Sequence, residues 1–388
     1  GPGLRPPGAP TPPGPLGGIE FLPGQQTRQF NFGTVYGTSM VGGDNYGNNL
    51  ANASILRAPM EAVTGMARLS AEFSPAFKPF IEINAAYSTS GGNTQQPRDQ
   101  GNLVIQRDNA YLPQSVRDLM VANDLQTITV GRLNNDSGPV KIDGRNRLIR
   151  GVIGAKGDLG GSWKWDAYYQ YGRNRYTVQS GPNNRIVANY ARAIDAVRSN
   201  GQIICRSTLT NSGDGCIPVN IFGDGSLVVN NYAFGTAIWE AKSQQHVAAA
   251  NLTGDLFQTW AGPVSFAVGA EYRKEQINGI SDPISTQPQP NGSVGGFQIG
   301  NQIPVNGSYH VWEAYAETVV PLLRDSALGK SLDINGAYRR TDYSISGVVE
   351  SWKVGFSYQP VEDLRIRGTR SRDIRAPNLG ELFQTGGS

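Results

Sequence analysis

The sequence has few of the residues that carry redox, metal or nucleophilic chemistry. Its two histidines, His246 and His310, stand far apart and outside any metal-ligand spacing. The serines have no histidine partner within a recognised nucleophile motif. The glycine spacing across residues 151–157 ends in a hairpin turn rather than opening a helix, so a phosphate-binding loop is not expected. We therefore predict a protein without enzyme activity, metal or cofactor.

Charge and long apolar runs are also scarce. Charged residues make up 17% of the 388 residues, and the formal net charge of +3 does not indicate a nucleic-acid partner. No apolar run approaches the ~18–20 residues of a membrane helix. A membrane β-barrel is still allowed, because only alternate residues of its strands must be apolar. The first fifteen residues are rich in proline and contain no apolar core of a signal peptide.

What the sequence does have is a strict alternation of apolar and polar residues. In the segment 352–358 the even positions are Trp, Val, Phe and Tyr, and the odd positions are Lys, Gly and Ser. Such a strand needs an apolar medium on one side and water on the other. In the segment 163–171 five of nine residues are aromatic, which is typical of a girdle at a membrane interface.

The alternating segments predict about ten strands of about 9–15 residues, a length that crosses a bilayer when tilted. The turns near residues 75, 158, 257, 326 and 361 are short. The opposite ends carry long loops at about 89–143, 177–231 and 278–308, with short helices expected at 113–121 and 190–197. Short turns on one side and long loops on the other are typical of an all-β, antiparallel transmembrane β-barrel with periplasmic turns and extracellular loops.

The regions before the first regular strand have a different composition. Residues 1–25 are rich in proline and glycine, which predicts a linker or loop. Residues 26–61 are rich in glycine and asparagine and predict an irregular loop with one strand near 30–36. The barrel segment is expected to occupy residues 62–388.

The two cysteines lie close together in one loop. Cys205 and Cys216 are the only thiols, and a nearby pair fits a local disulfide in an oxidising compartment. The alternative is a pair of unbonded cytosolic cysteines.

A short segment near the end suggests a family. Residues 375–382 resemble the RAPNL-x-EL segment of TonB-dependent outer-membrane receptors through Arg375, Ala376, Pro377, Asn378, Leu379, Glu381 and Leu382. The segments 108–113, 216–223 and 269–275 resemble the same family. Pro377 also has a structural interpretation: it has no amide hydrogen, so the strand must break or bulge there and shape the barrel rim.

The resemblance implies a fold and a function. In that family an N-terminal plug fills a 22-stranded barrel in the outer membrane of Gram-negative bacteria, and a short box contacts the inner-membrane protein TonB. The implied function is active uptake of a scarce ligand such as siderophore-bound iron, cobalamin or a saccharide. The implied partners are TonB, the lipid bilayer with its lipopolysaccharide, and the ligand. Because neither plug, box nor final aromatic strand is recognisable, we expect an internal piece of a larger receptor, with a complete ten-stranded barrel as the alternative.

Ligand contacts would come from loops and inward-facing polar residues. Guanidinium groups suit anionic ligands, and the arginines that cluster in the last strands are Arg339, Arg365, Arg367, Arg370 and Arg372. Their alternative role is to pair with acidic residues of the barrel interior. The aromatic loop residues Tyr111 and Phe222 are candidates for stacking on a ligand, or else they hold a loop to its neighbours.

Two other functions share parts of this pattern. A passive diffusion porin has the barrel without a plug or energy coupling. A soluble, secreted adhesin or carbohydrate-binding module would cover its apolar strand faces with a second sheet. The exposure of Trp163, Trp165, Tyr169, Val354 and Phe356 separates the soluble protein from both membrane proteins.

Overall fold

The structure is a computed structural model that describes residues 16–36, 39–44, 55, 57–94, 97–290 and 292–383. In chain order its strands are β1 Ile19–Leu22, β2 Gln26–Gln29, β3 Thr34–Tyr36, β4 Ser39–Val41, β5 Met60–Ser70, β6 Lys78–Asn93, β7 Arg98–Gln106, β8 Thr127–Leu133, β9 Lys141–Gly160, β10 Trp163–Arg185, β11 Ala196–Ser199, β12 Gln202–Cys205, β13 Phe234–Thr259, β14 Gly262–Ser281, β15 Asn306–Ser326, β16 Gly329–Tyr343, β17 Gly347–Val361 and β18 Leu364–Arg372. The helices are α1 Gln114–Ala122, α2 Val187–Ile194 and α3 Leu379–Phe383.

Ten of the strands form one antiparallel meander. Their order in the sheet is β5-β6-β9-β10-β13-β14-β15-β16-β17-β18, so each strand pairs with the sheet strand before it in the chain. The sheet has two edges, β5 and β18, and does not close on itself within the described residues. The hairpins β7–β8 and β11–β12 lie inside two long connections. The predicted fold class and the number of sheet strands are confirmed.

The connections alternate in length as the sequence predicts. The pairs β9–β10, β13–β14, β15–β16 and β17–β18 are each joined by two residues, and residues 71–77 join β5 to β6. At the other end three of the four connections are long, at residues 94–140, 186–233 and 282–305, and the fourth, residues 344–346 between β16 and β17, is short. At the β9–β10 turn, Gly160 and Gly161 have φ of 100° and 60°, a backbone conformation that favours glycine.

Several strands are longer than the alternation predicts. β13 has 26 residues and β10 has 23. In β13 the extra residues are 253–259 at the short-turn end. In β10 they lie at the long-loop end, where charged residues such as Arg173 and Arg175 replace the apolar ones. Because both faces are polar there, the alternation that marks a strand in the sequence disappears while the hydrogen-bonded ladder continues.

The outer face of the sheet is apolar and largely uncovered. It carries Tyr169, Trp312, Val354 and Phe356, and the side chains of Val354 and Trp312 are 53% and 59% exposed. Trp163 and Trp165 share this face and are half-buried: Trp163 lies over Gly254 of β13, and Trp165 donates a hydrogen bond to the carbonyl oxygen of Ala76 in the β5–β6 connection. An apolar surface of this extent is typical of a lipid-facing wall rather than of a soluble sheet.

Within the described residues no helix is both long enough and apolar enough to cross a membrane.

The inner face of the sheet is a connected polar wall. Arg150 donates hydrogen bonds to Glu82 at 2.9 Å and to Gln170 at 2.7 Å. Gln170 donates to Gln245, and Gln245 donates to Glu275, each at 2.8 Å. A hydrogen-bonded network of this kind satisfies polar groups where a barrel wall faces water.

The proline- and glycine-rich start of the chain differs from its prediction. Residues 19–29 were expected to be linker or irregular loop, but they form the hairpin β1–β2. The ring of Phe21 lies 4.8 Å from the ring of Phe222, so the hairpin packs on the second long connection. The flanking glycines and prolines hide the short apolar segment 19–22 in the sequence. Residues 1–15 lie outside the described residues.

Candidate functional site

The two longest connections fold together at one end of the sheet. We call residues 16–30, 97–140 and 186–233 the loop cap. Helix α1 turns Val116 and Met120 inward, one helical turn apart, and α2 does the same with Tyr190 and Ile194. The buried core of the cap consists of Leu103, Ile105, Leu112, Val116, Met120, Val130, Tyr190, Ala193, Ile194, Val219, Ile221, Phe222, Leu227 and Ala233, together with Phe234 at the start of β13. The cap is therefore a small folded unit with its own core.

A buried ion pair joins the cap to the wall of the sheet. Arg185, the last residue of β10, donates to both carboxylate oxygens of Asp99 on β7 at 2.8 and 2.9 Å. Their side chains are only 6% and 4% exposed. Asp99 also accepts a 3.0 Å hydrogen bond from Asn134, and the Arg185 guanidinium lies 4.1 Å from the ring centroid of Tyr190. The pairing compensates the large cost of removing both charges from water.

A second ion pair holds the two long connections together. Arg132 pairs with Asp136 and also donates to the carbonyl oxygen of Ile221 at 2.8 Å. Burial alone would raise the pKa of Asp136, but hydrogen bonds from Arg132 and from the Leu227 amide lower it below its ordinary value. Burial raises the pKa of Tyr190 to about 12. Asp136 is therefore charged, and Tyr190 neutral, at physiological pH.

The predicted disulfide is confirmed. Cys205 and Cys216 are bonded, and Cys205 is buried. Inside the closed loop, Asp214 accepts hydrogen bonds from Ser207 and Thr208. The Ser207 hydroxyl and the Cys216 amide together lower the pKa of Asp214. The disulfide and the charged carboxylate thus organise the same short loop.

Replacing both cysteines by serine is expected to loosen this loop. The bond closes a ring of residues 205–216, and its loss costs about 2–3 kcal/mol in the chain-entropy model. Amide hydrogen exchange should become faster in residues 196–219 and stay unchanged in β14 and β15. Treating the wild-type protein with a reductant should give the same exchange pattern. The reductant should not change exchange in the double variant, because that variant has no disulfide to reduce. Unchanged exchange in this loop would show that the disulfide does not stabilise it.

A cavity of about 830 Å³ lies where the first hairpin meets β8. Its apolar lining includes Phe21, Phe30, Phe32, Ile128 and Val130. Its charged lining comes from Glu20, Asp44, Arg132 and Asp224. A mostly apolar cavity of this size with a few charged groups has the size and character of a small-molecule site.

The five arginines predicted to contact a ligand are divided between the two faces of the sheet. Arg339 is on the inner face, where it bonds Glu313 at 2.9 Å and lies 5.1 Å from the ring centroid of Tyr315. Arg365 and Arg367 share the inner face but lie near the short-turn end of β18. Arg370 and Arg372 pair in register with Val354 and Trp352, so they share the outer face. The structure therefore does not bring the five together.

The two predicted aromatic contacts lie within the loop cap. Tyr111 packs against the core of the cap, and burial raises its pKa. Phe222 is 3% exposed and contacts Phe21. Both rings hold the loops together in this conformation. The cavity residues Phe30, Phe32 and Ile128 were not singled out from the sequence, because they lie in segments without periodicity.

The segment that suggested the family has a compact local structure. The Asn378 amide donates to Glu381, and the Glu381 amide donates to the Asn378 side chain, both at 2.9 Å. This reciprocal pair is a capping box at the start of α3. Arg375 pairs with Glu381, and these bonds lower the pKa of the Glu381 carboxyl. Ala376, Pro377, Leu379 and Leu382 complete the segment.

Helix α3 lies against the inner face of the sheet. A Cβ atom on Gly307 would lie only 2.2 Å from the ring of Phe383, so glycine is required for this contact. Gly307 is at the long-loop end of β15. The segment after β18 thus folds back across the inner side of the wall, close to the loop cap's end of the sheet.

Among the residues described, no group of three or more His, Cys, Asp or Glu side chains is arranged to hold a metal ion.

Comparison with known proteins gives a family match and structural likenesses. A family model described as a TonB-dependent receptor-like β-barrel matches residues 80–388. No curated protein sequence matches the chain.

Three solved structures illustrate the structural likeness. A variant of the ferric enterobactin receptor PfeA from Pseudomonas aeruginosa is 14% identical with a TM-score of 0.43, over 84% of this chain and 35% of that one. The siderophore receptor PirA from Acinetobacter baumannii is 15% identical with a TM-score of 0.41, over 83% and 34%. The translocator domain of autotransporter NalP from Neisseria meningitidis is 10% identical with a TM-score of 0.29, over 81% and 76%. The chain thus spans about a third of the length of the two receptors.

Proposed function

The chain belongs to the family of TonB-dependent receptor β-barrels, and from this premise we propose that it is part of a receptor for active uptake of a scarce small molecule. Members of this family lie in the outer membrane of Gram-negative bacteria, and they are receptors and transporters rather than enzymes. We assign the same location to this protein, with the short turns in the periplasm and the loop cap outside the cell.

One observation supports this proposal above the others. The sheet carries an uncovered apolar outer face and a hydrogen-bonded polar inner face, and a folded cap with a cavity lies at one end only. Vectorial uptake requires an apolar band that faces lipid, a hydrated interior, and a recognition surface at one end of the barrel. A soluble adhesin would bury the band that includes Val354 and Trp312.

We propose that the ligand first binds in the cap cavity. Its three phenylalanine rings, Phe21, Phe30 and Phe32, offer stacking surfaces to an aromatic or apolar ligand body. The volume of about 830 Å³ suits one compact molecule better than an extended saccharide chain. The inner-face arginines Arg339, Arg365 and Arg367 would contact an anionic ligand on its way through the barrel.

The proposed partners follow from this location. TonB would act through a plug region and supply the energy for release into the periplasm. The bilayer would cover the apolar band, and lipopolysaccharide would surround the protein at the outer surface. A passive porin would need neither TonB nor a recognition cavity.

Uptake in cells that lack TonB tests the proposal. Cells that express the full-length protein should accumulate one labelled compound from a panel of ferric siderophores, cobalamin and oligosaccharides. Inactivating TonB should reduce accumulation to the level of cells that lack the receptor, while surface binding of the compound persists. Accumulation that continues at an equal rate without TonB would contradict active uptake and favour the porin.

A further inference from the structure

A cluster of cationic side chains lies on the outer face of the sheet, at its long-loop end. We call it the outer basic patch, and it consists of Arg145, Arg147, Arg173, Arg175, Lys242 and Lys274. Across three neighbouring strands, Arg147 lies directly opposite Arg175, and Arg175 lies opposite Lys242. Like charges in directly opposite positions destabilise a sheet unless an anion compensates them.

The patch has too few acidic partners to neutralise it. Glu240 pairs with Arg175 and lies 3.3 Å from Lys242. In the described part of the chain the other four cations form no salt bridge with a carboxylate. Asp143, two residues before Arg145 on the same face of β9, and Glu61, across β6 from Arg145, are further acidic residues on this surface. A net excess of positive charge therefore remains on this surface.

The patch also contains a cavity suited to an anion. A recess of about 270 Å³ is lined by Arg145, Arg147, Arg175, Thr177, Gln179, Ile238 and Glu240. Guanidinium, hydroxyl and amide groups are the donors that bind phosphate oxygens, and arginine does so with two parallel hydrogen bonds.

The height of the patch relative to the apolar band indicates which anion it meets. Along β9 the outer face changes from Ile153 and Ile149 to Arg147 and Arg145 within a few residues. The guanidinium of Arg147 lies 5.6 Å from the ring centroid of Tyr87, an aromatic residue at the same boundary. Aromatic side chains concentrate at the level of lipid headgroups, so the patch lies where the headgroups of the outer leaflet begin.

We propose that the outer basic patch binds the phosphate groups of a phosphorylated glycolipid of the outer leaflet, the lipid A portion of lipopolysaccharide. The acyl chains lie against Ile149, Ile153 and Tyr169, and the phosphates occupy the recess between Arg145, Arg147 and Arg175. This inference rests on the outer-membrane location proposed above. It assigns a function to an outward surface that the uptake pathway does not use.

Lipid binding by the purified full-length receptor in detergent tests the proposal. The variant Arg145→Gln/Arg147→Gln/Arg175→Gln should bind bis-phosphorylated lipid A at least about tenfold more weakly than the wild type, because several charge-assisted hydrogen bonds are lost. Dephosphorylated lipid A should bind the wild type as weakly as phosphorylated lipid A binds the variant. Raising the salt concentration should weaken wild-type binding.

A matched control removes the same charge elsewhere. Lys164→Gln/Lys330→Gln/Lys353→Gln removes three positive charges away from the patch and should leave lipid A binding unchanged. Equal binding by the patch variant and the wild type, or equal binding of phosphorylated and dephosphorylated lipid A, would overturn the proposal. Inorganic phosphate that competes at the same concentration as lipid A would overturn it in favour of a free-anion site. These readouts do not depend on TonB, so their failure is distinguishable from failure of the uptake function.

Discussion

Replacing Asp99 by alanine is expected to unfold the loop cap. The substitution leaves the Arg185 guanidinium buried without its carboxylate, and breaking one partner of a buried pair costs about 3–5 kcal/mol. Asn134 also loses an acceptor. We expect rapid amide exchange and protease cleavage in the cap, while the meander stays protected. Ligand binding at the cell surface should be lost with it.

The control for this experiment is Asp108→Ala in the same cap. Asp108 pairs with Arg206, but its side chain is 63% exposed, and Arg206 keeps a second partner in Asp195. An exposed pair contributes about 0–1 kcal/mol, so exchange and ligand binding should change little. Equal effects of the two substitutions would mean that burial of the Asp99–Arg185 pair does not determine the stability of the cap.

Replacing Val268 by lysine is expected to weaken insertion into the membrane. Val268 lies in the middle of the apolar stretch of β14, between Phe266 and Ala270 on the outer face. A lysine on the lipid face costs about 2–4 kcal/mol near the bilayer midplane. In urea titrations of the full-length receptor folded into lipid vesicles, the free energy of unfolding of the variant should be about 2–4 kcal/mol lower than that of the wild type.

The neighbouring residue provides the control. Ala267 faces the other side of the sheet and pairs in register with Glu317. A lysine at position 267 would lie beside this carboxylate in a wet interior, so Ala267→Lys should leave the folding free energy nearly unchanged. If the two lysine variants behave alike, the outer face does not contact lipid.

The ten-stranded sheet could be predicted from the sequence because the requirement on each strand applies to consecutive residues. A strand between lipid and water must alternate, and residues 352–358 display that requirement in consecutive positions. The same alternation also indicates that these arginines lie on two different faces of the sheet. Arg370 and Arg372 are in phase with the apolar residue Ile366, whereas Arg365 and Arg367 are out of phase with it. The prediction that all five arginines contact a ligand rested on their clustering in the last strands and did not take this alternation into account.

The loop cap could not be predicted in the same way. Its core joins Phe21, Met120 and Phe222, which are far apart in the sequence and follow no common period. Its ion pairs, such as Asp99 with Arg185, also join distant segments. Local patterns do not encode such contacts, and the proline- and glycine-rich flanks conceal the short strand 19–22.

The position of Arg185 has a mechanical consequence. This residue terminates a long transmembrane strand, and its guanidinium holds β7 of the cap through two hydrogen bonds. If β7 is displaced, either these two hydrogen bonds break or the end of β10 moves with it. The position of the cap is therefore coupled to the long-loop end of β10 for as long as this ion pair is intact.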